Sequence, residues 1–139
     1  MAIASFDHAV IPTGQPEEMI AFYKRLGFSV PGEQEWRDGK ARIFAFATAN
    51  FKINVHPPEV WQSGRFDLRG PTAVPGCGDF CFVWDGTVDE AKALIETAGA
   101  KVIEGPVDRV GGRASGTATG VSVYTRDPDG NLLELITYR

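Results

Sequence analysis

Apolar and polar positions follow two rhythms along this chain, and the switches between them mark its elements. FDHAVIP (Phe6–Pro12) is apolar and β-branched enough for a strand, and Pro12, Gly14 and Pro16 end it. In the following PEEMIAFYKRLGF, Met19, Ile20, Phe22, Tyr23 and Leu26 recur at three- and four-residue intervals, which predicts an amphipathic helix opened by Pro16 and stopped by Gly27. FSV, ARIFAFAT (Ala41–Thr48) and FKINVH (Phe51–His56) then read as strands, with RDGK and TAN as turns. From His56 to Gly78 neither period holds, and the prolines and glycines there predict a crossing linker. The first rhythm then returns. DFCFVWDG (Asp79–Gly86) predicts a strand, and TVDEAKALIETAGA a helix with Thr87 as N-cap, Glu90 closing a capping box and Gly99 as terminator. KVIEGP, GVSVYTRDP (Gly120–Pro128) and NLLELITY supply three more strands, with GGRASGTATG as a flexible loop and DPDG as a turn.

Strand, helix and three strands therefore occur twice, in modules 4–56 and 78–139 joined by linker 57–77, within one domain of residues 1–139. The expected class is α+β. Two similar open sheets can bury each other's faces around a pseudo-twofold axis, with a cavity between them. Placing Asp79 opposite His8 aligns the two helices, so that His8 and Asp79 begin equivalent strands while His56 and Glu134 lie in equivalent final ones. Alternation puts Asn54 and His56 on one strand face, and Leu132, Glu134 and Ile136 on another.

Composition narrows the function. Hydrophobic residues at 43% and charged residues at 23% suit an ordinary globular chain, and a formal net charge of −4 offers no attraction to nucleic acid or an anionic membrane. A small-molecule substrate is the expected partner. Neither a basic, apolar leader at Met1–Val10 nor a run of ~18 apolar residues occurs, so a cytoplasmic location is expected. Cys77 and Cys81 would sit ~13 Å apart on a strand, too far for a disulfide, and read as reduced packing residues.

Glu134 is the anomaly, a carboxylate set among Leu132, Leu133, Leu135 and Ile136. A cation would stabilise such a group, and imidazole and carboxylate together form a divalent-metal donor set. The competing account is a buried ion pair with Arg109, Arg113 or Arg126. A strand histidine taken singly is ordinarily structural; His8 and His56 at repeat-equivalent positions with two carboxylates favour a site. No phosphate-binding P-loop, G-x-S-x-G elbow or CxxC pair is present.

DHAVI, AFYKRLGF, EGPVDR and YTRDPDGNLLEL together resemble the vicinal oxygen chelate superfamily of glyoxalases, bleomycin- and fosfomycin-resistance proteins and extradiol dioxygenases. The likeness is greatest to small glyoxalase-domain proteins, some called virulence-associated. It implies paired βαβββ modules, an open cup-shaped mixed sheet, a homodimer, and a divalent ion (Ni, Mn, Fe, Co or Zn) that chelates two adjacent substrate oxygens. His8 and Glu134 match the family's first and last ligand positions, His56 stands where Glu is more usual, and Asp79 where His is, as a ligand, a ligand through water, or a group that orients His56.

The expected activity is lyase- or isomerase-like stabilisation of an enediolate by a metal held by His8, His56 and Glu134. Glu134 and Tyr124 are the candidate catalytic residues; Arg109, Arg113, Trp61 and Phe66 are the candidate substrate contacts. Alternatives are an extradiol-type dioxygenase and a metal-free binder of bleomycin-type antibiotics. Nothing in the residues calls for glutathione.

Overall fold

The apolar stripe read from the sequence is what holds the first helix. In the computed structural model, which describes residues 1–138, α1 (Pro16–Arg25) buries Met19, Ile20, Phe22 and Tyr23. Glu17 and Glu18 in its first turn and Lys24 and Arg25 in its last complement the helix dipole. Tyr23 stacks on Phe46 with ring centroids 4.1 Å apart, which fastens the helix to a three-stranded sheet. That sheet has the order β1-β3-β2: β1 (His8–Pro12) runs parallel to β3 (Lys52–His56), and β2 (Phe44–Ala47) pairs with β3 antiparallel. Ile11, Phe44, Ile53 and Val55 complete this core, each worth ~1.5–3 kcal/mol of burial.

Local detail departs from the sequence reading in three places. The FSV strand is reduced to one bridge, Ser29 to Ala47. A short helix α2 (Glu33–Arg37) forms just before the predicted RDGK turn, because Trp36 packs on Phe44 at 4.9 Å and Arg37 pairs with both Glu17 and Glu33. The linker holds one helical turn, α3 (Pro58–Trp61), started by proline where no amide hydrogen is needed.

The chain divides into two compact units, Met1–Cys77 and Gly78 onward. The second has a four-stranded sheet of order β4-β7-β6-β5. Here β4 (Asp79–Val83) is parallel to β7 (Leu132–Tyr138), while β6 (Thr119–Arg126) is antiparallel to both β7 and β5 (Glu104–Val110). Helix α4 (Val88–Thr97) lies against one face, with Ala91, Ile95, Val123 and Leu135 forming the core and Phe82 and Trp84 beside it. The predicted capping box is formed: Glu90 N–H donates to Thr87 Oγ1 at 3.2 Å, and Thr87 N–H to Glu90 Oε2 at 2.7 Å.

The α+β class and the mixed sheets are therefore as expected. The second strand of this unit starts at Glu104 and runs to Val110, later than KVIEGP suggests, so Arg109 stands on a strand. The predicted flexible loop contains a tight turn, α5 (Arg113–Gly116), in which Ala114 and Ser115 have φ of 53° and 56°. Among the described residues no helix is long and apolar enough to cross a membrane.

RDPDGN is a turn with a buried scaffold. Asp127 accepts the N–H groups of Asp129 and Asn131 through Oδ1 and the Asn131 amide through Oδ2, while Asn131 Oδ1 accepts Gly78 N–H at 2.7 Å. A Cβ on Gly78 would come within 2.8 Å of that oxygen and 2.6 Å of the Phe80 ring. The turn thus ties the start of β4 to the start of β7 and fixes their register.

Candidate functional site

Register decides which polar side chains meet. Parallel pairing sets Asp79 opposite Leu132 and Cys81 opposite Glu134, and antiparallel pairing sets Tyr124 opposite Glu134 from the other side. Alternation then places Asp79, Cys81 and Val83 of β4, Leu132, Glu134 and Ile136 of β7, and Ser122 and Tyr124 of β6 on the face opposite α4. Glu134 is half-buried at its centre.

Three protonated groups surround that carboxylate. Ser122, fully buried, donates its hydroxyl to Glu134 Oε2 at 2.6 Å, which satisfies a group that burial would otherwise penalise. Cys81 lies on the next strand; desolvation of its sulfur and the Glu134 charge beside it push its pKa up to about 12. Desolvation and the same carboxylate raise Tyr124, opposed by Arg109. Both therefore remain protonated donors at neutral pH. Arg109 Nε donates to Tyr124 Oη at 2.9 Å and its guanidinium lies 5.6 Å from the ring centre, so the phenol is held from behind.

Among the described residues Glu134 has no ion pair with arginine, which overturns that account of its burial. Arg109 serves Tyr124 and the Asp108 carbonyl, Arg126 donates to Gly130 O, and Arg113 covers the Tyr138 ring at 4.4 Å. Arg113 also lines a hollow of about 370 Å³ with Trp84, Asp85, Thr137 and Tyr138.

The histidines are not brought together. His8 pairs in register with Lys52, and His56 with Pro12, four rungs along the same two strands. They share a face, yet ~13 Å of strand separates them, too far for side chains standing upright on one sheet to close on one ion. Their surroundings differ as well. His8 Nδ1 meets Asp7 Oδ1 at 2.5 Å at the exposed start of β1. His56 is buried against the edge of Phe66, at 5.3 Å, and its pKa is lowered by desolvation and then by Arg69.

The same register corrects the repeat alignment. Two residues into each parallel pair, Val10 faces Asn54 in the first sheet and Cys81 faces Glu134 in the second. Asn54, and not His56, is the counterpart of Glu134. His8 and His56 therefore do not reach a single ion together from this sheet, and among the described residues no three His, Cys, Asp or Glu side chains gather as a metal-holding group.

The remaining predicted residues divide. Asp79 is exposed on the edge strand β4. Trp61 Nε1 donates to Thr13 O at 2.9 Å, which makes it a brace for the linker. Phe66 forms the lid on His56. Both cysteines are free, as expected; both residues are exposed as a whole, while the Cys81 sulfur is partly withdrawn from water beside Glu134. Ser122 and Cys81 were not anticipated as neighbours of Glu134. Strand parity across the DPDG turn carries the signal for Ser122, because a hairpin register fixed by its turn puts Ser122, Tyr124 and Glu134 on one face.

Comparison with known proteins agrees with this architecture. The model of the Glyoxalase/Bleomycin resistance protein/Dioxygenase superfamily matches residues 5–135. The virulence protein STM3117 of Salmonella typhimurium is 36% identical over 141 residues, covering 99% of this chain and 87% of that protein. Its crystal structure covers 100% of both chains with a TM-score of 0.80 at 33% identity. The glyoxalase domain-containing protein RDO1 of Mycosarcoma maydis is 37% identical over 140 residues, covering 100% of this chain and 71% of that protein.

Proposed function

Because the chain belongs to the glyoxalase/bleomycin resistance protein/dioxygenase superfamily, we propose that it is an enzyme acting on a small molecule with two adjacent oxygens, in which Glu134 moves the proton of a lyase- or isomerase-type step. The observation that carries this reading is the position of Glu134: a half-buried carboxylate at the centre of a sheet face, with Ser122 fixing one oxygen and the Tyr124 phenol beside it. A carboxylate so placed accepts a proton from carbon next to a carbonyl, and a phenol held protonated donates a hydrogen bond to the oxyanion that forms. Arg109 positions the phenol and adds positive charge behind it.

Metal dependence of the enzyme is a separate question of donors. His8 and His56 stand four rungs apart on one sheet, so each counts as a separate candidate donor. Metal content after repletion with nickel, manganese, iron, cobalt or zinc, measured in the wild type and in His8→Ala and His56→Ala, decides it residue by residue.

The second reading is a binder without chemistry, and the separation of the two histidines is the observation in its favour. Proton exchange distinguishes the two. In D₂O the wild type should wash out the α-proton of an α-hydroxyketone that it binds, and Glu134→Gln should bind that compound while exchanging at least ~100-fold more slowly. Binding without exchange in the wild type, across a panel of α-hydroxyketones and 2-oxoaldehyde adducts, would establish the binder.

A further inference from the structure

The first unit contains a hollow of about 250 Å³ that the reading above does not use. Arg42, Glu59, Val60, Ser63, Arg65 and Phe66 line it. Its charges are unbalanced, two guanidiniums against one carboxylate. Among the described residues the guanidiniums of Arg42 and Arg65 make no ion pair and no side-chain hydrogen bond, and neither does the Glu59 carboxylate. The neighbouring arginines are engaged: Arg37 pairs with Glu17 and Glu33, and Arg69 donates to the Ala73 carbonyl.

The wall that carries these groups is braced. Ser63 Oγ donates to Val60 O at 2.9 Å and accepts Arg65 N–H at 3.2 Å, which ties the backbone of Arg65 to the end of α3. The Phe66 ring, 36% exposed, stands edge-on to the buried His56 ring, with an interplanar angle of 78°. Val60 is buried. An apolar wall and two uncommitted fork-shaped donors thus face one space, above a backbone braced at Arg65.

We propose that this hollow binds a small organic monocarboxylate, its head between Arg42 and Arg65 and its apolar body against Phe66 and Val60. Guanidinium matches a carboxylate in bidentate geometry. Glu59 sets the charge limit: one anionic group is drawn in by two cations, and a second negative charge on the ligand is repelled by the carboxylate at the same wall. The Phe66 ring and Val60 favour a flat or branched apolar body over a hydrophilic one.

The test uses the intact chain and three probes of similar size: benzoate, phenyl phosphate and benzyl alcohol. Arginine Nε–Hε resonances are followed by NMR at low salt. Benzoate should bind saturably and shift the signals of Arg42 and Arg65, and Arg42→Ala and Arg65→Ala should each weaken it about tenfold. Both positions are exposed, so the variants are expected to fold, and unchanged Tm values check this. Phe66→Ala should weaken benzoate while leaving in place the arginine shifts produced by acetate, a fourth and ring-free probe. Glu59→Gln should narrow the preference for benzoate over doubly charged phenyl phosphate. Benzyl alcohol binding as tightly as benzoate, phenyl phosphate binding more tightly than benzoate to the wild type, or benzoate affinity unmoved in both arginine variants would each overturn the assignment.

Discussion

In the three-stranded sheet, the rung two residues into the parallel pair joins Val10 to Asn54; in the four-stranded sheet the same rung joins Cys81 to Glu134. The backbones around these rungs are alike. A five-residue strand leads into a ten-residue helix that covers one face, and a later strand returns parallel to the first. What differs is the demand each rung makes on its neighbours. Valine and an amide ask for little, and Val10 is left 44% exposed. A carboxylate requires donors, and the second sheet supplies Ser122 at 0% exposure, Tyr124 and a thiol. The first unit instead covers one of its buried polar residues, His56, with the linker residue Phe66. Repetition of a scaffold therefore does not repeat its chemistry: the charged centre belongs to one copy and the capped histidine to the other.

The largest effect that would break this contrast is expected at Cys81. A thiol raised from 9.0 to about 12 carries about a thousandfold less thiolate at pH 8. In a Cys77→Ser variant, alkylation of Cys81 by iodoacetamide should therefore run at less than about a hundredth of the rate of a small free thiol, and recover in urea. Glu134→Gln removes the second cause of the shift and should quicken the reaction, while desolvation, the first cause, keeps it below the free rate. Alkylation of the folded variant at the free-thiol rate would mean that Cys81 and Glu134 do not share an environment.

His56 sharpens the comparison from the other side. Its folded pKa is lowered, first by desolvation and then by Arg69, below the unfolded value of ~6.5. Above that pH both states are neutral and the group contributes nothing to the pH dependence. As pH falls through ~6.5 the unfolded chain takes up the proton first, so stability is lost until the folded pKa is passed. Between pH 7.5 and 5.5 the Tm of the wild type should drop more than that of His56→Gln. Parallel Tm curves for the two proteins would show that His56 is not held neutral beneath Phe66.

How far the sequence carried these conclusions depends on the kind of information each required. Helices α1 and α4 were legible because their signals are local: Met19, Ile20, Phe22 and Tyr23 fall on one stripe, and Thr87 and Glu90 cap each other across one turn. Strand faces were legible for the same reason, since alternation alone puts Asn54 with His56 and Leu132 with Glu134. Parallel register is not local. His8 and His56 share a face, yet which rung each occupies follows from the pairing of β1 with β3 across some forty residues, and nothing in either strand announces it. For that reason Glu134 and Tyr124, which face each other across the β6–β7 hairpin, were found in the sequence, while Cys81, its neighbour across the parallel pair, was not. Helix α2 was missed because five residues show no period; the Trp36 to Phe44 contact and the Arg37 ion pairs that support it are tertiary.

The smallest predicted effect lies where the two helices start. Helix α4 has a complete capping box, with the Thr87 hydroxyl accepting Glu90 N–H and the Glu90 carboxylate accepting Thr87 N–H. Helix α1 begins after Gln15 with no side-chain cap, and relies on Pro16, which lacks one of the hydrogens that a cap would satisfy. Thr87→Ala should therefore cost about 1 kcal/mol in urea unfolding, and Gln15→Ala much less. The converse substitution tests the reason for the asymmetry. Gln15→Ser places a short acceptor at the N-cap of α1, where Glu18 occupies the third helical position that Glu90 occupies in α4. If the missing hydroxyl is what distinguishes the two starts, this variant gains a few tenths of a kcal/mol or more. A loss on Gln15→Ser would show instead that Gln15 and Pro16 already fix the entry into α1, and that the two helices reach the same geometry by different means.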